Sequence, residues 1–475
     1  MKKMEDIAAD VPRNADTLPS APAREIPLWP GLVVALLVGI VYMSVATSGT
    51  FRFRPSLYPH HVLIADAWLH GQLYVRDEVI EALNEAFYRG YRTAVERSLA
   101  ASGQQLADND WDRIRSGLTP PTALDWSVVD GKRYGYWGPM VSFLLLPYVA
   151  AAGLQASDVL FGCLIGTGTV LLTFLMLRQA HKAGFVPLST AACVALTVLL
   201  GVGTVHFYLA VLGRMWFLSQ IVGTFFLTLA VWCLLHSGSG PSWPLAAGLA
   251  FGASLLSRGS IATTVPFFYA TLLTVPRCPH PRRRAAIRNA LAFSLLVALT
   301  GGVALAFNYA RFGNVWESGQ RIQVLTAGDS VFKQEYLAFG PFSLHYVPRN
   351  LYYYFLNIIP RRDGRTQAIT FDPFGNSMFL ITPALVYVLR LPRRRGRFAA
   401  ALWLGAGWCM IMLLLFHNTG WYAFGNRYLL DLMPLAILLV ALGMRGRLTA
   451  VSAVLITLSV AVNAWGTYRF CIERY

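Results

Sequence analysis

Apolar runs of about 18 or more residues recur from residue 31 to the C-terminus, each long enough to cross about 30 Å of hydrocarbon as a helix. The pattern predicts an all-α polytopic membrane protein. Its first span is PLWPGLVVALLVGIVYMSVA (27–46). Residues 47–138 follow, too polar to lie in lipid. Within them VIEALNEAFYRGYRTAVERSLAA (79–101) has helical periodicity and both charge signs, which predicts an amphipathic helix on the membrane surface.

Further spans are predicted near 158–178, 187–206, 216–236, 242–257, 259–275, 287–309, 377–391, 398–416, 427–443 and 447–466, about eleven in all. The short stretch PMVSFLLLPYVAAAGL (139–154) is read as a juxtamembrane half-helix. Leaving it out of the count puts QAHKAG, PRCPHPRRRAAIRN, LPRRRGR and MRGR on one side with the N-terminal tail, as the positive-inside bias requires. The chain is then expected to divide into a disordered cytoplasmic tail (1–26) and a transmembrane domain (27–475) with two large extracytoplasmic segments, 47–138 and 311–376. No internal repeat is visible.

Composition supports this reading. Of 475 residues 55% are hydrophobic and only 13% charged, with a mean hydropathy of +0.48, whereas a soluble domain carries roughly a quarter charged residues. The net charge of +16 belongs to arginines in short loops, which are topology signals rather than a nucleic-acid surface. The six cysteines form no CxxC pair and read as small buried hydrophobes. DNDWD (108–112) fails as a calcium loop, because Arg113 and Thr119 stand where glycine and glutamate are needed, and reads as a solvated acidic loop with a helix cap. No P-loop, GxGxxG or HExxH occurs, and no obligatory metal or cofactor is expected.

Ionisable residues that intrude on the apolar segments gather at the predicted outer ends: Asp66, His206, Arg214, Arg258, Arg311, Glu317, Arg427 and Asp431. A charge near mid-bilayer costs about 2.5–3.5 kcal/mol on insertion scales, so such residues usually line a polar cavity. One outward-facing site at membrane depth is the expectation.

Five stretches in order resemble the integral-membrane glycosyltransferases of the GT-C fold, relatives of the protein O-mannosyltransferases and the aminoarabinose transferase. They are HHVLIADAWLHGQLYV (60–75), VVDGKRYGYWGPMVSFLLLPYV (128–149) with Tyr134, FNYARFGNVWESGQ (307–320), IIPRRDGRTQAITFDPFGNSMFLITPALV (358–386) and GWYAFGNRYLLDLMP (420–434). The resemblance implies a polyprenyl-phosphate-linked sugar as donor, an envelope glycan, lipid or protein as acceptor, and an active site on the outer face of a bacterial inner membrane. Many such enzymes carry an acidic base about two turns before the first motif's alanine. Here that region reads SLYPHH, and the first acid after the first span is Asp66.

The implied chemistry needs one base and one cation. A carboxylate takes the proton of the acceptor hydroxyl as it attacks the anomeric carbon, and phosphate leaves without an acid, with inversion expected. Asp66, at the membrane surface, is the first choice for the base, with His60 and His61 as alternatives. Arg427 suits the donor phosphate, since a guanidinium forks onto phosphate oxygens and stays charged at low dielectric. Asp431 would orient it. Gly420 and Gly425 would allow a close backbone approach, with Trp421, Tyr422 and Tyr428 as faces for a sugar ring. Arg258 and Arg214 are further phosphate candidates. Glu317 either binds hydroxyls or locks its loop to Arg311. Two other classes remain open from sequence: a ligase or polymerase using pyrophosphate-linked glycans, and a transporter or flippase, for which repeats or broken helices near the midplane would be expected.

Overall fold

In the computed structural model, residues 25–238, 240, 242–275, 283–326, 328, 331–358, 361–362, 369–390, 396–420 and 423–472 are described. Helix α1 (Trp29–Ala46) leads into an outer segment with α2 (His60–Leu69), α3 (Asp77–Ala100), α4 (Asp108–Ser116) and the hairpin β1 (Ser127–Val129) and β2 (Lys132–Tyr134). The two strands pair antiparallel, Ser127 opposite Tyr134. Then come α5 (Met140–Ala152), α6 (Asp158–Lys182), α7 (Thr190–Val202), α8 (His206–Leu212), α9 (Met215–Leu235), α10 (Ser242–Ser257), α11 (Val265–Thr274) and α12 (Arg283–Phe312). A second outer segment holds α13 (Gln320–Thr326), α14 (Val331–Phe339), α15 (Val347–Leu351) and the two-residue pair β3 (Arg361–Arg362) with β4 (Ile369–Thr370). The chain ends with α16 (Met378–Ile381), α17 (Arg397–Leu415), α18 (Met433–Gly443) and α19 (Ala450–Ile472).

Helix starts follow local chemistry. Ser157 accepts from Leu160 N–H at 3.2 Å to open α6, and Ser189 accepts from Ala192 N–H at 3.2 Å to open α7. Gly213 turns α8 into α9 at φ +60°, and a Cβ there would stand 2.5 Å from Val159 N, so only glycine fits. The large core joins α6, α7, α8, α9 and α18, with Phe174, Tyr208 and Phe217 fully enclosed.

Six helices among the described residues are long and apolar enough to cross a bilayer: α1, α6, α9, α12, α17 and α19. A seventh arises if α7 and α8, bent by 51° at their junction, count as one span. The expected eleven is not confirmed among the described residues, where several apolar stretches are interrupted. The 259–275 run is a 3-10 turn (259–264) followed by the ten residues of α11, and 377–391 is α16 plus a 3-10 turn (383–389). The 427–443 run likewise begins as a 3-10 turn (427–432) before α18.

Breaks in lipid demand substitute partners for freed backbone groups. Asn463 Nδ2 donates to the carbonyls of Gly203 (2.9 Å) and Ile381 (2.7 Å), and Gln220 Nε2 donates to the Arg427 carbonyl (3.0 Å). Hydropathy reports only that these stretches are apolar, not that distant amides permit them to break.

Elsewhere the boundaries are close. The amphipathic helix expected at 79–101 is α3, and the half-helix at 139–154 is α5. The span ending near 309 runs on to Phe312, so Arg311 belongs to a helix end rather than a loop. DNDWD is not a capped loop. It opens α4 with Ala107 as the uncapped flank, Asp110 paired to Arg113 and Asp108 to Arg92.

Candidate active site

A cavity of about 1110 Å³ opens among the described residues. Its walls are the 124–125 and 136–139 segments, the start of α9, the end of α10, the last turns of α12, helices α13 and α14, the end of α17, and residues 427–428. In α12 and α17 the cavity lies at the helix end opposite the one that carries Arg283 and Arg284 or Arg397.

Arg427 stands in its wall, 6% exposed, with Nε and Nη1 lacking a hydrogen-bond partner among the described residues. Its guanidinium lies 5.4 Å from the Phe217 ring and 5.2 Å from the Tyr428 ring, aromatic faces that hold it without neutralising it. Gly420, at φ +99°, permits this placement, since a Cβ there would come within 3.1 Å of Arg427 Cγ and Nε. Arg258 has a different status. Its Nε bonds both oxygens of the fully buried Asp431 (2.8 and 2.9 Å), Ser260 Oγ donates to the same carboxylate at 2.6 Å, and its guanidinium lies 4.5 Å from Tyr428 on the cavity side. Asp431 therefore orients Arg258, not Arg427. One cation is compensated and the other is unpaired, both against one tyrosine.

Asp125 faces the same space. Its backbone is left-handed (φ +61°), a conformation that costs a non-glycine residue energy and clusters at functional positions, though aspartate tolerates it best. Oδ1 accepts from Gln323 Nε2 at 2.8 Å, which ties α13 to this segment. Burial pushes the carboxyl up to about 6, against the opposing pull of Arg427 and of the Gln323 bond. Tyr136 and Trp216 line the same wall.

The two histidines proposed as bases support this segment from behind. His60 Nε2 meets the Leu124 carbonyl at 2.9 Å and its ring stacks on Trp126 at 4.4 Å. His61 sits between Ser142 Oγ (3.1 Å) and Ser219 Oγ (2.9 Å). Burial lowers His60 to about 4 and His61 to about 3, so both are neutral, and neither lines the cavity. Asp66 is also outside it, bonded by Arg76 Nη2 at 3.1 Å. Arg214 packs over Tyr58 and Phe470 behind the wall, and Tyr134 packs on Tyr74 and Phe312.

Glu317 and Arg311 both reach the cavity but do not bond each other. Glu317 Oε1 accepts from Gly319 N–H at 2.7 Å, while Arg311 binds the Gly135 carbonyl and Asn308 Oδ1 (2.9 Å), joining α12 to the end of the first outer segment. Trp421 and Tyr422 lie outside the described residues. Among the described residues no group of three His, Cys, Asp or Glu could hold a metal ion.

Sequence reasoning therefore placed Arg427, Tyr428, Arg258, Arg311 and Glu317 in one site, with Asp431 directly behind it. It missed Asp125, Gln323, Tyr136 and His417. The available signal for Asp125 was modest: an acid in PPTALDW immediately ahead of the VVDGKRYGYWGP motif.

No family model and no curated protein matches the chain. Among solved structures it is similar to the oligosaccharyltransferase AglB from Archaeoglobus fulgidus in complex with an inhibitory peptide and a dolichol-phosphate (13% identity, TM-score 0.47, 94% of this chain and 55% of that one). It is also similar to ArnT from Cupriavidus metallidurans bound to undecaprenyl phosphate (13% identity, TM-score 0.47, 92% of this chain and 63% of that one). The chain thus spans somewhat over half the length of these structures.

Proposed function

We propose that the protein is a membrane glycosyltransferase that moves a sugar from a polyprenyl-phosphate carrier to an acceptor hydroxyl in the cavity. The observation that carries this is Arg427, a buried guanidinium left unpaired in the wall of a cavity that also holds Asp125. A buried cation without a partner is costly to keep, and a lipid-borne phosphate would supply the missing charge.

Asp125 is the base in this reading, in place of Asp66. Ionised, it takes the proton from the acceptor oxygen as that oxygen attacks the anomeric carbon. The bond from that carbon to the phosphate oxygen breaks, and the phosphate departs with the electron pair onto Arg427, with Arg258 alongside. Attack opposite the leaving group inverts the anomeric centre. Phosphate held by a guanidinium leaves without further help, so the reaction calls for no metal. Basic residues at the opposite ends of α12 and α17 support the reading that the cavity opens on the extracytoplasmic face of the inner membrane.

The test is release of polyprenyl phosphate from a panel of labelled polyprenyl-phosphate sugars by wild type, Asp125→Asn, Asp66→Asn and Arg427→Ala. Loss in Asp125→Asn and Arg427→Ala with retention in Asp66→Asn is expected. Retention in Asp125→Asn would move the base elsewhere. No release from any donor by folded wild type would refute the class, favouring a pyrophosphate-linked donor or a transporter.

A further inference from the structure

The outer part of the cavity holds a second unsatisfied group, remote in role from the phosphate site. His417 is 4% exposed and lines the cavity, yet neither ring nitrogen has a hydrogen-bond partner among the described residues. Its ring is clamped between Phe416 (4.5 Å) and Tyr336 (5.1 Å), and its carbonyl is held by Arg349 Nη2 at 2.6 Å. Burial, with Arg349 nearby, lowers it to about 4, so it is neutral. A neutral imidazole presents one donor and one acceptor.

Trp316 stands at the rim of the same cavity, 81% exposed. Its loop is ordered: Asn314 Oδ1 accepts from Trp316 N–H (2.9 Å), Asn308 Nδ2 donates to the Val315 carbonyl (3.0 Å), and Ser127 Oγ donates to the Gly319 carbonyl (2.7 Å). A rigid loop thus presents a bare indole to solvent. Tyr336, which contacts His417, lines the same cavity as Trp316 and Glu317.

We infer that the space between Trp316 and His417 is the acceptor subsite and that it takes a neutral glycan, so that the transferred sugar goes onto a saccharide hydroxyl. Sugar hydroxyls both donate and accept, which satisfies both nitrogens of a neutral imidazole, whereas an anion would leave one lone pair facing negative charge. A sugar ring also offers the apolar C–H face that a bare indole covers. The acceptor role rests on the donor reading above; the binding of saccharide rests on this geometry alone.

The experiment titrates purified full-length protein in nanodiscs with neutral hexose and pentose oligosaccharides, without donor, following tryptophan fluorescence and heat. Saturable binding with a fluorescence change is expected. Trp316→Phe should remove the optical change, and His417→Leu should weaken binding about tenfold, the loss of one hydrogen bond to a buried group. Neither substitution removes a protein hydrogen bond made by the side chain, and an unchanged melting temperature verifies folding. Flat titrations with every saccharide would overturn the inference, as when Trp316 only anchors the chain among lipid headgroups. So would undiminished binding in both variants, or tighter binding of acidic than of neutral saccharides. With no donor in the cell, this outcome is independent of whether Arg427 holds a phosphate.

Discussion

Asparagine at position 125 keeps the size of the side chain and tolerates the left-handed backbone (φ +61°), so Asp125→Asn removes the charge with little disturbance of the fold. For wild type, the carboxyl titrates near 6, and a base that must be ionised gives a rate that is flat above that value and falls tenfold per pH unit below it. At pH 7 roughly nine-tenths of the sites are ionised and at pH 5 roughly one-tenth, so kcat/KM should drop about tenfold between them. The histidines in and behind the cavity titrate below that window. His417 and His60 titrate near 4 and His61 near 3, and the donor's phosphodiester keeps its charge throughout. Removing a general base costs on the order of 100- to 10,000-fold. The assay is initial-rate release of labelled polyprenyl phosphate from pH 4.5 to 8.5 for both proteins. Asp125→Asn should lose about that factor and the acid limb together. A variant within tenfold of wild type, or one that keeps a limb near 6, would refute the assignment of Asp125.

Other expectations follow from the same geometry. Gln323→Leu removes a hydrogen bond that favours the ionised carboxylate, so the acid limb should move to higher pH with little change in the plateau; a limb that stays or falls contradicts the coupling seen at 2.8 Å. Arg427→Met should abolish donor turnover yet change the melting temperature little, because Nε and Nη1 make no hydrogen bond among the described residues and only the longer-range attraction to Asp125 is lost; a large loss of stability would show that the guanidinium is structural. Arg258→Met strands the carboxylate of Asp431 and should destabilise by about 3–5 kcal/mol in denaturation, with Asp431→Leu added to it recovering part of the loss. Gly138→Ala would place a Cβ 1.9 Å from the Leu256 carbonyl and push the turn that carries Arg258, so turnover should fall even if the protein folds; normal kinetics would show that the turn can yield.

Much of this architecture was legible along the chain because its signals are local. A run of apolar residues, a cluster of arginines beside it and an amphipathic period are each contained within a few turns, and they yielded α1, α3, α5, α6, α9, α12, α17 and α19 close to their observed bounds. The site residues that announce themselves by cost, Arg427 and Arg258 above all, were legible for the same reason: a charge inside an apolar run needs a use. What the chain could not disclose are relations between distant residues. Asp125 meets Gln323 across 198 positions, and Arg258 meets Asp431 across 173. Those contacts decide that one arginine is neutralised and the other is not, and that an aspartate outside every motif acquires a raised pKa. Asp66, better placed by sequence, spends its charge on Arg76. The breaks in the helices have the same origin, since Asn463 supplies bonds to carbonyls 260 and 82 residues away. Hydropathy is a property of each segment, whereas hydrogen-bond satisfaction and the ionisation of a buried group belong to whatever folding brings beside them.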